Sequence, residues 1–184
     1  MPVVTNEDLR RALASYLERR PEDLLALTEP LNLLNAGSDM TTRSCLPAHV
    51  TASALLLDAD QRVLLIQHRA FDLTLQPGGH LEATDTDLPQ AALRELAEET
   101  GVDPASVTAV DQIPAYIEYH RVPARPSKNE PAHRHLDIGF KFTTDRAEIG
   151  VLQDAEVAGA GWHELDSIDG FLGRRIARAL APIA

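Results

Sequence analysis

The sequence predicts a chain of mixed strands and helices, α/β or α+β, and three observations carry that prediction. Apolar residues recur at helical spacing over 5–20 and again between Ala91 and Thr100. From Pro47 the period changes to that of sheet, and 133–142 alternates strictly between apolar and polar. Composition agrees, since 44% hydrophobic and 24% charged residues are ordinary values for a globular fold. A length of 184 residues suits one domain with an extension, or two very small ones.

Residues 5–20 predict an amphipathic helix capped by Thr5 or Asn6, with Leu9, Leu13, Tyr16 and Leu17 on one face and Pro21 at its end. Further helical stretches are expected at 21–28 and 30–34, before the breaker Asn35-Ala36-Gly37-Ser38. Residues 1–46 are therefore expected to form a helical extension that packs on a main domain at 47–184 or covers a homodimer interface. His49–Leu57 and Arg62–His68, joined by 58–61, read as a hairpin of mostly buried strands. Arg69 to Leu75 reads as a loop into Gln76-Pro77-Gly78-Gly79.

The helix beginning near Ala91 is expected to bury Leu93, Leu96, Ala97 and Thr100 as one stripe. Asp87 is its expected N-cap, with Gln90 completing a capping box, and Gly101 its left-handed C-cap. Val107–Ile113 and Ala115–Arg121 read as strands on either side of Pro114. Residues 122–131, with Pro at 123, 126 and 131, read as a surface loop of the kind that carries substrate contacts. In the next strand Leu136, Ile138, Phe140 and Phe142 face one way, and His133, His135 and Asp137 the other. Residues 149–162 carry Asp154 and Glu156, and a last helix over 171–182 sets Ile176 and Leu180 against Arg174, Arg175 and Arg178.

Charge narrows the partners. A net charge of −11, from 17 basic and 28 acidic residues, argues against a nucleic-acid polymer or an anionic membrane, both of which reward basic patches. It leaves a nucleotide open, because a bound metal inverts the local field. The one cysteine, Cys45, makes an internal disulfide impossible and fits a reducing compartment. The first residues lack the basic and apolar regions of a signal peptide, and no apolar run approaches the ~18 residues of a membrane span. The expectation is a cytoplasmic protein.

Arg94, Glu95, Glu98 and Glu99 stand at helical spacing. Three carboxylates within one turn repel one another, each like-charged pair costing about 0.2–0.5 kcal/mol. A divalent cation reverses that sign, and an oxygen-rich cluster of this kind suits Mg²⁺, or Mn²⁺. For an arbitrary Glu-rich helix a solvated acidic face would be the simpler reading; the Pro-Gly-Gly turn ahead of this one shifts the balance. With Gly79, Arg94, Glu95, Leu96, Glu98, Glu99, Gly101 and Val102, the stretch resembles the Nudix box, G-x5-E-x7-R-E-U-x-E-E-x-G-U, the signature of the Nudix (MutT-like) hydrolases. Two departures stand out: one extra residue separates Gly79 from Arg94, and Asp85 occupies the place of the first Glu. Inside the helix an extra residue would rotate every later side chain by about 100°, so its expected place is the loop at 82–88.

That resemblance implies a Nudix-like α/β/α sandwich with a mixed sheet, and Mg²⁺-dependent cleavage of a phosphoanhydride bond in a nucleoside diphosphate linked to another moiety. Glu95, Glu98 and Glu99 are then the metal ligands, and Arg94 pins the loop through Asp85. Glu156 is the candidate general base, with Asp154 and Glu118 as alternatives. Arg69, Gly79, Lys128, His133 and His135 are the candidate substrate contacts, and Arg125 a further phosphate holder. Four Phe, three Tyr and one Trp leave few rings for stacking: Tyr116, Tyr119, Phe71 and Trp162. His133, His135 and Asp137 also suit Zn²⁺ or Ni²⁺ better than Mg²⁺. His49, His68, His80 and His120 show no pattern of their own. The alternative, favoured by the altered spacing, is a catalytically inactive Nudix-like nucleotide-binding or regulatory module. In either case the expected partner is a small nucleotide-type molecule.

Overall fold

The computed structural model describes residues 4–69, 72–126, 129–146 and 148–181; Phe71 and Lys128 lie outside them. Helix α1 spans Asn6–Arg19. Thr5 caps it reciprocally: its hydroxyl accepts from the Asp8 amide, and the Asp8 carboxylate accepts from the Thr5 amide at 2.8 Å. The expected helix over 21–28 is a single 3₁₀ turn, Pro21–Asp23. Helix α2 then runs Thr28–Asn35, with Pro30 inside its first turn, where no backbone donor is needed.

Strand β1, Ala48–Leu57, is buried along its whole length and lies at the centre of the sheet. It runs parallel to β7, His133–Thr144, in register from Ala48↔Arg134 to Leu57↔Thr143. The outer side of β7 is shared by β5, Val107–Ala109, and β6, Tyr116–Val122. The other side of β1 is shared by β4, Gly78–His80, and β2, Val63–His68. Beyond β2 come β3, Leu73–Leu75, and β8, Val157–His163.

Three expectations change here. The hairpin of β1 and β2 is paired at its closed end, Leu57↔Val63, where the Asp58 carboxylate accepts from the Asp60 and Arg62 amides. Past that turn β1 gives its edge to β4, and β2 pairs instead with β8. The expected loop at 69–75 contains β3, which adds backbone hydrogen bonds to the end of β2. The strand expected to reach Ile113 stops at Ala109; Asp111 accepts from the Ile113 amide and pairs with Arg19, so the chain turns there.

Both faces of the sheet are covered. On one, α1, α2 and α3, Leu88–Thr100, bury Leu9, Leu13, Leu27, Leu34 and Leu96 against Val50, Ala52, Leu56, Leu136, Ile138 and Phe140 as one core. On the other, α4, Gly170–Leu180, sets Ile176 against Leu55, Leu57, Leu65 and Tyr116. This is the α/β/α arrangement, with the N-terminal helices part of the same core. The polar side of β7 is interior: His133, His135 and Asp137 are only 4%, 8% and 3% exposed.

Candidate active site

The site is built where β4 crosses α3. Asp87 caps α3 by accepting from the Gln90 amide at 2.8 Å. The Gln90 side chain returns to the Thr86 amide, one residue before the position a capping box uses. Gly101 closes the helix at φ 65. The buried stripe is rotated from the expected one: Leu88, Ala92, Leu96, Glu99 and Thr100 face inward, while Leu93 and Ala97 are half-buried. Glu99 therefore belongs to the interior.

Arg94 spends its fork on structure. Its Nε and Nη2 donate to the two oxygens of Asp85 at 2.8 and 3.0 Å, and Nη2 also to the His80 carbonyl at 2.9 Å. Its Nη1 donates to Glu95 and Glu98, each at 3.0 Å. Asp85 is fully buried and accepts from the Glu82 amide as well. The tight turn Glu82–Asp85 carries the shorter carboxylate to Arg94, and residues 81–87, outside strand and helix, leave the spacing along α3 intact.

Gly79 permits the close approach of strand and helix, since a Cβ there would stand 2.5 Å from a Glu95 carboxylate oxygen. Glu99 accepts from the Gly78 amide at 2.9 Å. Burial pushes the Glu99 carboxyl up to about 8; the Gly78 amide opposes that, and Glu95, Glu156 and Glu98 reinforce it. Burial likewise raises Glu95 to about 7 against the pull of Arg94, with Glu98 and Glu156 adding to the rise.

Glu156 is delivered by the turn ahead of β8. That turn is latched to the end of α3 through backbone: the Gly150 amide donates to the Thr100 carbonyl at 3.0 Å, and the Gln153 amide to the Glu99 carbonyl at 3.4 Å. Side chains would block this contact, a Cβ on Gly101 meeting the Val151 nitrogen at 2.4 Å and one on Gly150 the Gly101 carbonyl oxygen at 2.3 Å. From the far side, the Arg69 amide donates to the Glu156 carbonyl at 2.8 Å. One ligand atom each of His68, Glu99 and Glu156 then lies within 4.8 Å of the others. His68 had no signal in the sequence; its place depends on β2 pairing with β8, a strand remote from it in the chain.

The structure disperses the remaining candidates. Arg69 lies beside Glu156 and donates through Nε to the Val157 carbonyl at 3.2 Å. Glu118 pairs with Arg175, and Asp154 is exposed. Arg125 holds Glu130 at 2.6 Å. Tyr116 is buried and its hydroxyl donates to Asp137 at 2.7 Å, which removes it from ring stacking on a ligand; Tyr119 donates to Glu29. His133 stacks on His49, and His135 packs against both rings at a tilt, on the opposite side of the sheet from α3.

The donor set fits a hard divalent ion. The charges of Glu98 and Glu156 add to the rise at Glu95 and Glu99, and the guanidinium among them is already divided between Asp85, a carbonyl and two of these carboxylates. One imidazole, His68, stands with them.

A family model described as the NUDIX domain matches residues 47–181. No curated protein matches the sequence. Among solved structures, the MutT protein from Methanosarcina mazei Go1 is 18% identical, covering 72% of this chain and 93% of its own, with a TM-score of 0.55. A NUDIX family hydrolase from Clostridium perfringens is 21% identical over 72% and 95%, TM-score 0.54. The MutT NUDIX hydrolase from Burkholderia pseudomallei is 20% identical over 71% and 95%, TM-score 0.52. At these identities the likeness is one of fold.

Proposed function

Since the chain belongs to the NUDIX domain family, we propose that it is a Mg²⁺-dependent pyrophosphohydrolase, with Mn²⁺ as a substitute, that cleaves the phosphoanhydride bond of a nucleoside diphosphate linked to another moiety. The observation that supports this best is the placement of Glu99: an interior carboxylate, tied to the Gly78 amide and crowded by Glu95 and Glu156. Such crowding is tolerable when a cation is shared among the oxygens. Glu95, Glu98 and Glu99 would hold the ion. When bound, it supplies Lewis acidity to the phosphoryl oxygens and positive charge against the negative charge that develops in the transition state.

The side chains do the rest. Glu156, exposed at the rim and fixed through its own backbone, takes the proton of the attacking water. Arg94 keeps the β4–α3 loop against the helix, so Glu95 and Glu98 are oriented before substrate arrives. Gly79 lets β4 lie directly against the Glu95 carboxylate, and Arg69, beside Glu156, offsets the charge of the substrate's phosphates.

The test is release of phosphate or mononucleotide from a panel of nucleotides, with and without Mg²⁺, for wild type and Glu99→Gln. At least one compound should turn over, and the substitution should lower kcat by about 10²-fold or more, the scale of losing a principal electrostatic stabiliser. Equal rates in the two proteins would remove Glu99 from the metal site. Tight nucleotide binding without turnover would favour the binding module instead.

A further inference from the structure

Five of the chain's seven histidines meet at one place that the hydrolytic reading does not use. His49 is in register with His135 across β1 and β7, and His133 lies two residues along β7 on the same face. Their ring centroids are 4.8–4.9 Å apart, and they are 2%, 8% and 4% exposed. His80 of β4 approaches His49 from the side, Nε2 to Nε2 at 3.2 Å, and His120 of β6 meets His135 edge-on. We propose that His49, His133 and His135 form a second metal centre, separate from the carboxylates, that takes a borderline divalent transition ion, Zn²⁺ above all.

The hydrogen bonds on the outer nitrogens favour this. A backbone carbonyl can only accept, so His49 must carry its proton on Nδ1 to donate to the Cys45 carbonyl at 3.2 Å. His133 must do the same to donate to the Pro131 carbonyl at 2.9 Å. Both therefore turn an unprotonated Nε2 inward, the arrangement in which a ligating imidazole is held by a carbonyl behind it. His133 Nε2 lies 3.0 Å from His135 Nε2, and one ring nitrogen from each of the three falls within 4.8 Å of the others. Zn–N bonds of about 2.0–2.1 Å set the nitrogens of a tetrahedral site roughly 3.3–3.4 Å apart, so the His133–His135 pair is already near that spacing and the set, within 4.8 Å, has to close only by side-chain rotation.

The chemistry of the donors selects the ion. Three imidazoles with no carboxylate among them suit Zn²⁺, Cu²⁺ or Ni²⁺ and do not suit Mg²⁺. A cavity of about 330 Å³, lined by Arg43, Ser44, Glu130 and the edges of His49 and His133, opens onto the cluster. It gives the ion a route in. The carboxylate site is a neighbour and not the same site: Gly79 faces Glu95 on the α3 side of β4, and the next residue, His80, faces the other way into the cluster.

The test uses the full chain, freed of any histidine tag, stripped with a chelator and titrated with Zn²⁺ and with Co²⁺ in excess Mg²⁺. Wild type and Glu99→Gln should each bind one equivalent of Zn²⁺ with similar affinity. His133→Gln and His49→Asn should weaken it by about 100-fold or more, exceeding the roughly 10–100-fold effect of losing a supporting partner of a ligand. Bound Co²⁺ should give the intense visible bands of a four-coordinate, nitrogen-ligated ion. The assignment fails if wild type binds no Zn²⁺, if both His variants bind it unchanged, or if Glu99→Gln abolishes it. Should the His variants not fold, the Co²⁺ spectra of wild type and Glu99→Gln decide, weak six-coordinate bands overturning the proposal. Turnover enters none of these readings, so they stand apart from the outcome of the nucleotide panel.

Discussion

Glu99 shows what a single side chain can ask of its surroundings. Its carboxyl in the folded, metal-free protein ionises near 8, against an ordinary 4.5. The fold thus binds that proton more tightly than the unfolded chain does, and the resulting stability is complete below about pH 4.5 and lost as pH rises through about 8. In chelator, the midpoint of thermal unfolding should fall between about pH 5 and 8. Added Mg²⁺ should restore it most at the alkaline end, because the ion competes with the proton for the same oxygens. A midpoint in chelator that rises over that interval would contradict the assignment. Asp85 is the converse case, a buried carboxylate fully matched by Arg94. Asp85→Ala takes the partner of the Arg94 Nε, leaving the guanidinium the His80 carbonyl, Glu95 and Glu98, and should cost about 3 kcal/mol in chemical denaturation, the low end of the scale for breaking a buried pair. Arg94 and the three glutamates were legible in the sequence because helical spacing is local. His49, His68 and His80 were not, since each acquires its neighbours from a strand paired at long range.

At the level of elements, both cap residues of α3, Asp87 and Gly101, were readable, while the start of the helix at Leu88, the Gln90 contact to Thr86 and the rotation of the helix about its own axis were not. Leu93, Leu96, Ala97 and Thr100 make as good a stripe on paper as Leu88, Ala92, Leu96 and Glu99, and packing on β1 and β4 chose the second. That choice carries Glu99 inward. Asp87→Ala should remove about 1 kcal/mol of stability by freeing the Gln90 amide. The same substitution should leave kcat nearly unchanged, because the cap lies two turns from the carboxylates. The strands show the limit of reading pairs in order. Alternation located β1 and β2, but the buried run of β1 is the mark of a central strand, and its main neighbour, β7, begins 76 positions after it ends.

For the molecule as a whole, the N-terminal helices are part of the core. Leu9, Leu13, Leu27, Leu34 and Met40 are each at most 1% exposed and share one cluster with α3 and the sheet. Fully burying a side chain of this size is worth about 1.5–3 kcal/mol, so a chain beginning at residue 47 should aggregate or show a sharply lower unfolding midpoint. A 47–184 fragment with the stability of the full chain would refute that. The contact of Gly101 with the turn at 150–156 reaches across the molecule in a different way. Glu99 and Glu156 stand 57 positions apart in the chain (156 − 99), and the backbone contact that joins their segments runs through two positions that possess no side chain. Gly150→Ala should therefore lower kcat while leaving Mn²⁺ affinity nearly intact, and a survey ranking positions by the reactivity of their substituents would pass over both glycines.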